Sequence, residues 1–358
     1  MSSGSGRRLV ARPVTGPKPL SMPNEFEPRR LLKRALQVGG VILVVVAIVF
    51  LAPGLGEVRS KLEGANPWWI AFGVVLEALS CASYVLMFKP LFCPSMPWRT
   101  SWEIGFSELG AGSLVPASGA GGLALGAWIL REGGMPGEQI ARRSVAFFLL
   151  KSAANFVAVV VIGVLMAVGL MGPSEPLWLT ALPAAAAAIV IVLVLWIPRL
   201  GPGRDPGPDA GRVRRWWVIG RRWLIDGTTE AVAILRTADM QVIAGSLGYW
   251  LFDNLVLWAT FNAFGYAPPI GILLMGYLIG QLGGLLPLPG GLGGIDGGLL
   301  GTFIVYGAPA ATTAAAVLAY RVILFWLPLL VGTIAFISLR RGLNDPERPE
   351  LCVVPAAT

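Results

Sequence analysis

The sequence of 358 residues contains no histidine. That absence excludes Ser-His-Asp and Cys-His catalytic arrangements and every histidine-ligated metal site. Cysteine is scarce as well. Cys81, Cys93 and Cys352 stand far apart and none forms a CxxC pair, so neither a zinc site nor a disulfide framework is expected. Charge is also thin: 13% of residues are charged, against about a quarter in soluble domains. There is no GxxxxGK[ST] loop, and the glycine runs follow no strand pattern, which argues against a nucleotide fold. No cofactor is expected.

What is present is apolar. Hydrophobic residues make up 55% of the chain and gather in blocks of about 20, the length that crosses a hydrocarbon core of roughly 30 Å. The net charge of +8 sits in loops beside these blocks, as in the cytoplasmic loops of membrane proteins, so no nucleic-acid partner is expected. Residues 1–34, with eight Lys or Arg, read as a disordered basic cytoplasmic tail, and residues 341–358 as a second cytoplasmic tail. The transmembrane domain is expected over 35–340 of a cell-membrane protein with both termini inside.

Spans are expected at 35–52, 69–88, 145–170, 177–197, 240–264 and 312–338. Two further apolar segments, 103–130 and 270–305, are broken by Gly and Pro. Arg131, Arg142 and Arg143 follow the first of them, and the loop 198–238 holds eight arginines. A single crossing at 103–130 would put both basic loops outside, whereas a hairpin keeps both inside, as the positive-inside rule requires. The fold class expected is therefore an all-α polytopic membrane protein, with about six transmembrane helices and two re-entrant broken-helix hairpins.

The two broken segments resemble each other. Leu114–Gly119 aligns with Leu285–Gly290, and buried cations follow the aligned prolines by 35 residues (Lys151) and 34 residues (Arg321). The halves, about 68–170 and 240–338, would then form an inverted-topology repeat, an arrangement that places transporter sites near the midplane. The new half-helices would begin at Gly119, Gly121 and Gly122 and at Gly290, Gly291 and Gly293, with amide groups suited to an anion. The same glycines also suit close helix packing. Lys151 and Arg321 at depth each cost at least about 2.5 kcal/mol unless compensated. The compensation comes from an acid (Glu77, Glu108, Asp253 or Asp296) or from an anionic ligand. The Arg- and Trp-rich stretch Arg212–Trp223 suits a helix lying on the anionic cytoplasmic leaflet.

At Leu286–Gly293, Asp296 and Arg321 the sequence resembles the lysylphosphatidylglycerol synthase transmembrane-domain family, and more loosely at Pro116–Gly122. The resemblance covers about residues 32–340 and lacks the soluble aminoacyl-transferring domain. It implies the handling of a membrane lipid, most plausibly its movement between leaflets, and no enzymatic activity. The function expected is a translocase or flippase for an anionic or head-group-modified lipid, phospho- or polyprenyl. The alternatives are a membrane component, accessory or catalytic, of polyprenyl-phosphate-linked glycan assembly, and a scaffold without turnover. Membrane lipids are the expected partners, and a homo-oligomer is left open.

Overall fold

The computed structural model describes residues 28–51, 55–114, 120–172, 175–201, 211–285 and 293–343. Among these residues the chain is helical, without strands. The first half of the order is α1 Pro28–Leu51, α2 Gly56–Glu63, α3 Pro67–Phe92, α4 Trp98–Leu114, α5 Ala120–Glu132 and α6 Gly137–Ala167. The second is α7 Leu177–Trp196, α8 Arg212–Thr237, α9 Met240–Ala263, α10 Ile270–Gln281, α11 Gly294–Val305 and α12 Ala310–Leu343.

Five of these helices, α3, α6, α7, α9 and α12, are long and apolar enough to cross a membrane. They fall on the five later spans expected, and α1 carries the first of them as far as Leu51. α7 leaves Leu182, Ile189 and Leu193 exposed. Such a surface belongs against lipid, where the backbone bonds itself and the side chains meet acyl chains. The protein is a multi-pass membrane protein.

The helix starts are written locally. Pro67 opens α3 behind Asn66, whose side chain accepts from the Trp68 N–H at 3.0 Å. Asp239 caps α9 in the same way, accepting from the amides of Gln241 and Val242.

Both broken segments fold as hairpins of short helices. The arms α4, α5, α10 and α11 have 17, 13, 12 and 12 residues, fewer than the roughly 20 needed to cross. Within the first hairpin Gly122 lies on Gly112 and on the Glu108 carbonyl, and Gly126 on the Glu108 side chain. Within the second, Gly276 meets Phe303, Gly280 meets Leu299 and Gly283 meets Gly294. In each pair the numbers fall along one helix as they rise along the other, so the arms run antiparallel. The breaks themselves, 115–119 and 286–292, lie outside the described residues, and with them Gly119, Gly290 and Gly291.

The halves are related by inversion. α3–α6 and α9–α12 have the same order of long helix, hairpin and long helix. α3 and α9 pack antiparallel at the centre: the Asn66 amide donates to the Ala263 carbonyl at 2.8 Å, and the Ser80 hydroxyl to the Tyr249 carbonyl at 3.3 Å. Each hairpin then leans on the other half, α4 along α12 and α10 along α6. At the first of these contacts Gly110 and Gly332 let the backbones touch: a Cβ at Gly110 would stand 3.1 Å from the Gly332 Cα. Lipid tails are as apolar as leucine, so such close packing, rather than escape from water, holds membrane helices together.

α8 takes up the basic loop as a 26-residue helix, with Trp216 and Trp217 exposed. It is tied to α6 through Glu230, which lies 2.6 Å from Arg142 and 3.5 Å from Arg143. One expectation does not hold. Cys93 is disulfide-bonded, while Cys81 is free and buried.

Candidate functional site

The central α3–α9 pair carries a band of polar side chains, and α4, α6, α10 and α12 bring the rest to it. Asp253 on α9 is 7% exposed. It accepts from the hydroxyl of Tyr277 at 2.5 Å and from that of Tyr320 at 2.8 Å. Glu108 on α4, 1% exposed, accepts from the hydroxyl of Tyr84 at 2.8 Å. These two pairs are related by the repeat. In the first half the long helix supplies the tyrosine and the hairpin the acid; in the second the roles are exchanged. Glu77, on α3, accepts only a thiol bond, from Cys81 at 3.4 Å, and faces the charge of Asp253.

The cations are treated differently. Arg321 is ion-paired, its Nε 2.6 Å from Asp296 Oδ1. The other Asp296 oxygen accepts from the Gly293 N–H at 2.9 Å. Gly293 has a φ of 83°, a left-handed conformation open to glycine without strain. The amide at the start of α11 is thus occupied by the protein's own carboxylate, which links the second hairpin to α12. In the first hairpin Gly122 serves packing: a Cβ there would stand 2.2 Å from the Glu108 carbonyl oxygen. Gly121 lies in the first turn of α5.

Lys151, on α6, makes no ion pair or hydrogen bond among the described residues. Its Nζ lies 5.8 Å from the ring centre of Tyr84, 5.9 Å from that of Phe148 and 5.7 Å from that of Tyr249. Ring faces at that range attract a cation. Glu108 and Asp253 act on it through charge without touching it. One turn along, the Asn155 Oδ1 is buried and makes no hydrogen bond among the described residues, and the same holds for Glu108 Oε1, Trp250 Nε1 and Asn254 Oδ1. Buried polar atoms without partners are uncommon in folded proteins. Asn155, one turn from Lys151, and Glu108, whose charge acts on it, therefore keep capacity for further hydrogen bonds near the lysine.

Of the residues expected from sequence, Glu77, Glu108, Lys151, Asp253, Asp296 and Arg321 thus form one connected band, Arg321 reaching it through the charge of Asp253. The tyrosines were missed. Only six occur in the chain, and Tyr84, Tyr249, Tyr277 and Tyr320 all lie in the band. A hydroxyl inside an apolar helix, whether span-length or a hairpin arm, is the signal that could have found them.

The lysylphosphatidylglycerol synthase TM region family matches residues 37–332, most of the chain. The chain belongs to this family. It is similar to a UPF0104 membrane protein of Methanothermobacter thermautotrophicus, 29% identical over 83% of this chain and 90% of that protein. A second UPF0104 membrane protein of the same organism is 24% identical over 83% of this chain and 94% of its own length. A third, from Methanocaldococcus jannaschii, is 30% identical over 27% of this chain. The family match spans α3–α11 and most of α1 and α12, so the inverted repeat lies within it.

Proposed function

We propose that this member of the family moves a lipid with an anionic head group between membrane leaflets, and that Lys151 is the cation that receives the head group. The observation carrying this reading is the contrast between the two interior cations. Arg321 has a carboxylate at 2.6 Å, whereas Lys151 has aromatic rings and no ion pair among the described residues. A lysine at depth with no carboxylate in contact is costly, and an anionic ligand offsets that cost.

The head-group phosphate would rest on Lys151, with the Asn155 Oδ1 and Glu108 Oε1 accepting from hydroxyl or ammonium donors elsewhere on the head group, while the acyl chains stay in lipid. Arg321, Asp296 and Asp253 would hold the second hairpin against α12, so that the two inverted halves present the site alternately to either leaflet. By the positive-inside rule the α8 end of the bundle lies in the cytoplasm, where Trp216, Trp217 and the arginines around them rest on an anionic leaflet of the cell membrane.

The test is leaflet exchange in vesicles. Wild-type protein would accelerate exchange of one or more of phosphatidylglycerol, an aminoacyl phospholipid and a polyprenyl phosphate. Lys151→Gln would remove the acceleration while the protein still folds. Failure of the wild type on the whole panel, or full activity in Lys151→Gln, would overturn the proposal.

A further inference from the structure

A separate feature lies away from Lys151. A groove of about 660 Å³ runs between α1, α4, α5 and α12. That volume is within the range of about 300–1,000 Å³ typical of small-ligand pockets. Its wall is apolar, including Ala111, Leu114, Leu125, Leu329, Phe336 and Ile337. Arg340 and Arg341 also line it, and no acid does. Both arginines are exposed and end the apolar run of α12, which places them at a membrane–water boundary.

The rim is more basic than these two residues alone. Leu32 and Ala35 of α1 line the same groove, so Lys33 and Arg34 stand within one turn of its wall. Arg34 buries a guanidinium nitrogen, Nη1, that makes no hydrogen bond among the described residues. The basic start of α1 and the basic end of α12 therefore meet at one groove.

We propose that this groove holds an acyl chain of an anionic glycerophospholipid, with the lipid phosphate bound by Arg340 and Arg341. The wall selects the occupant first: its two hydroxyls, Ser107 and Thr333, already donate to the Glu103 and Leu329 carbonyls, so it disfavours a peptide backbone or a sugar, which would bury unbonded groups. The charge selects next. Arginine forks match phosphate oxygens in pairs, and clustered arginines at a membrane surface favour anionic over zwitterionic lipid. The site does not depend on translocation. A chain seated between α1 and α12 would fasten the first helix to the second half, whatever moves at Lys151.

The full-length protein, purified in mild detergent, would be exchanged into phosphatidylglycerol or phosphatidylcholine and the retained lipid counted by native mass spectrometry. Phosphatidylglycerol would be retained preferentially. Arg340→Gln and Arg341→Gln would each lower its retention about fivefold without changing that of phosphatidylcholine. Thr333→Trp, which fills the wall from α12, would lower retention of both lipids, and Val161→Trp on the exposed face of α6 would lower neither. Equal retention of the two lipids by the wild type, or undiminished phosphatidylglycerol in both arginine variants, would overturn the charge assignment. Displacement by inorganic phosphate alone would overturn the acyl-chain assignment. Should Thr333→Trp fail to fold, the arginine variants still decide.

Discussion

Replacing Asp296 by Asn separates charge from shape at the link between the second hairpin and α12. Asparagine keeps an oxygen for the Gly293 N–H but removes the negative charge 2.6 Å from Arg321. The side chains are 12% exposed at Arg321 and 26% at Asp296, so neither limit for an ion pair applies alone. Exposed pairs contribute about 0.2–1 kcal/mol, and breaking a buried one costs about 3–5 kcal/mol; the partial exposure here places the loss near 2 kcal/mol. Arg321→Gln should cost less, because the carboxylate left behind is still held by the Gly293 amide. The double variant should fall short of the sum of the two by about 1–2 kcal/mol, the coupling expected of groups in contact. Unfolding in detergent micelles, followed by tryptophan fluorescence against denaturant, would measure all three. A loss under about 0.5 kcal/mol for Asp296→Asn, or strict additivity in the double variant, would refute the pair as a structural link.

Three further outcomes follow from the packing and the polar band. Gly122→Ala puts a methyl 2.2 Å from the Glu108 carbonyl and Gly283→Ala one 2.0 Å from the Gly294 carbonyl. Both should lower thermal stability clearly, while Gly137→Ala, with nothing within 4 Å, should leave it unchanged. Tyr277→Phe removes one of the two hydroxyl donors to Asp253 and should destabilise by about 1–3 kcal/mol in the same fluorescence assay. Raising salt should weaken binding of the isolated α8 segment, residues 211–238, to vesicles rich in anionic lipid, and binding should be lost when Trp216 and Trp217 are both replaced by Ala.

The long helices were legible because burial in lipid imposes a length: α3, α6, α7, α9 and α12 each fill a block that hydrocarbon thickness defines. The first hairpin was legible from charge, since the positive-inside rule keeps Arg131 and the arginines of α8 on one side, and the second from its likeness to the first. What the sequence hid is angular. α3 and α9 are apolar nearly all round, so no stripe marks the face that turns Tyr84 toward Glu108 or Asp253 toward Tyr277. Arg321 was foreseen as a buried cation with Asp296 or Asp253 as its candidate acids, but only packing decides that Asp296 takes the ion pair. The glycines illustrate the same limit. Gly122 read equally as part of an anion-binding turn or as a contact point, and the approach of the Glu108 carbonyl assigns it to contact.

The central claim is that two hairpins enter the membrane from opposite faces and return. Single cysteines at positions 99, 131, 221, 267 and 307, in a background with Cys81, Cys93 and Cys352 replaced, can be labelled in cells by a reagent that does not cross the membrane. The account predicts that 99, 131 and 221 stay protected together inside while 267 and 307 are labelled together outside. Labelling of 131 with protection of 99, or of 307 with protection of 267, would make a hairpin a crossing and contradict it.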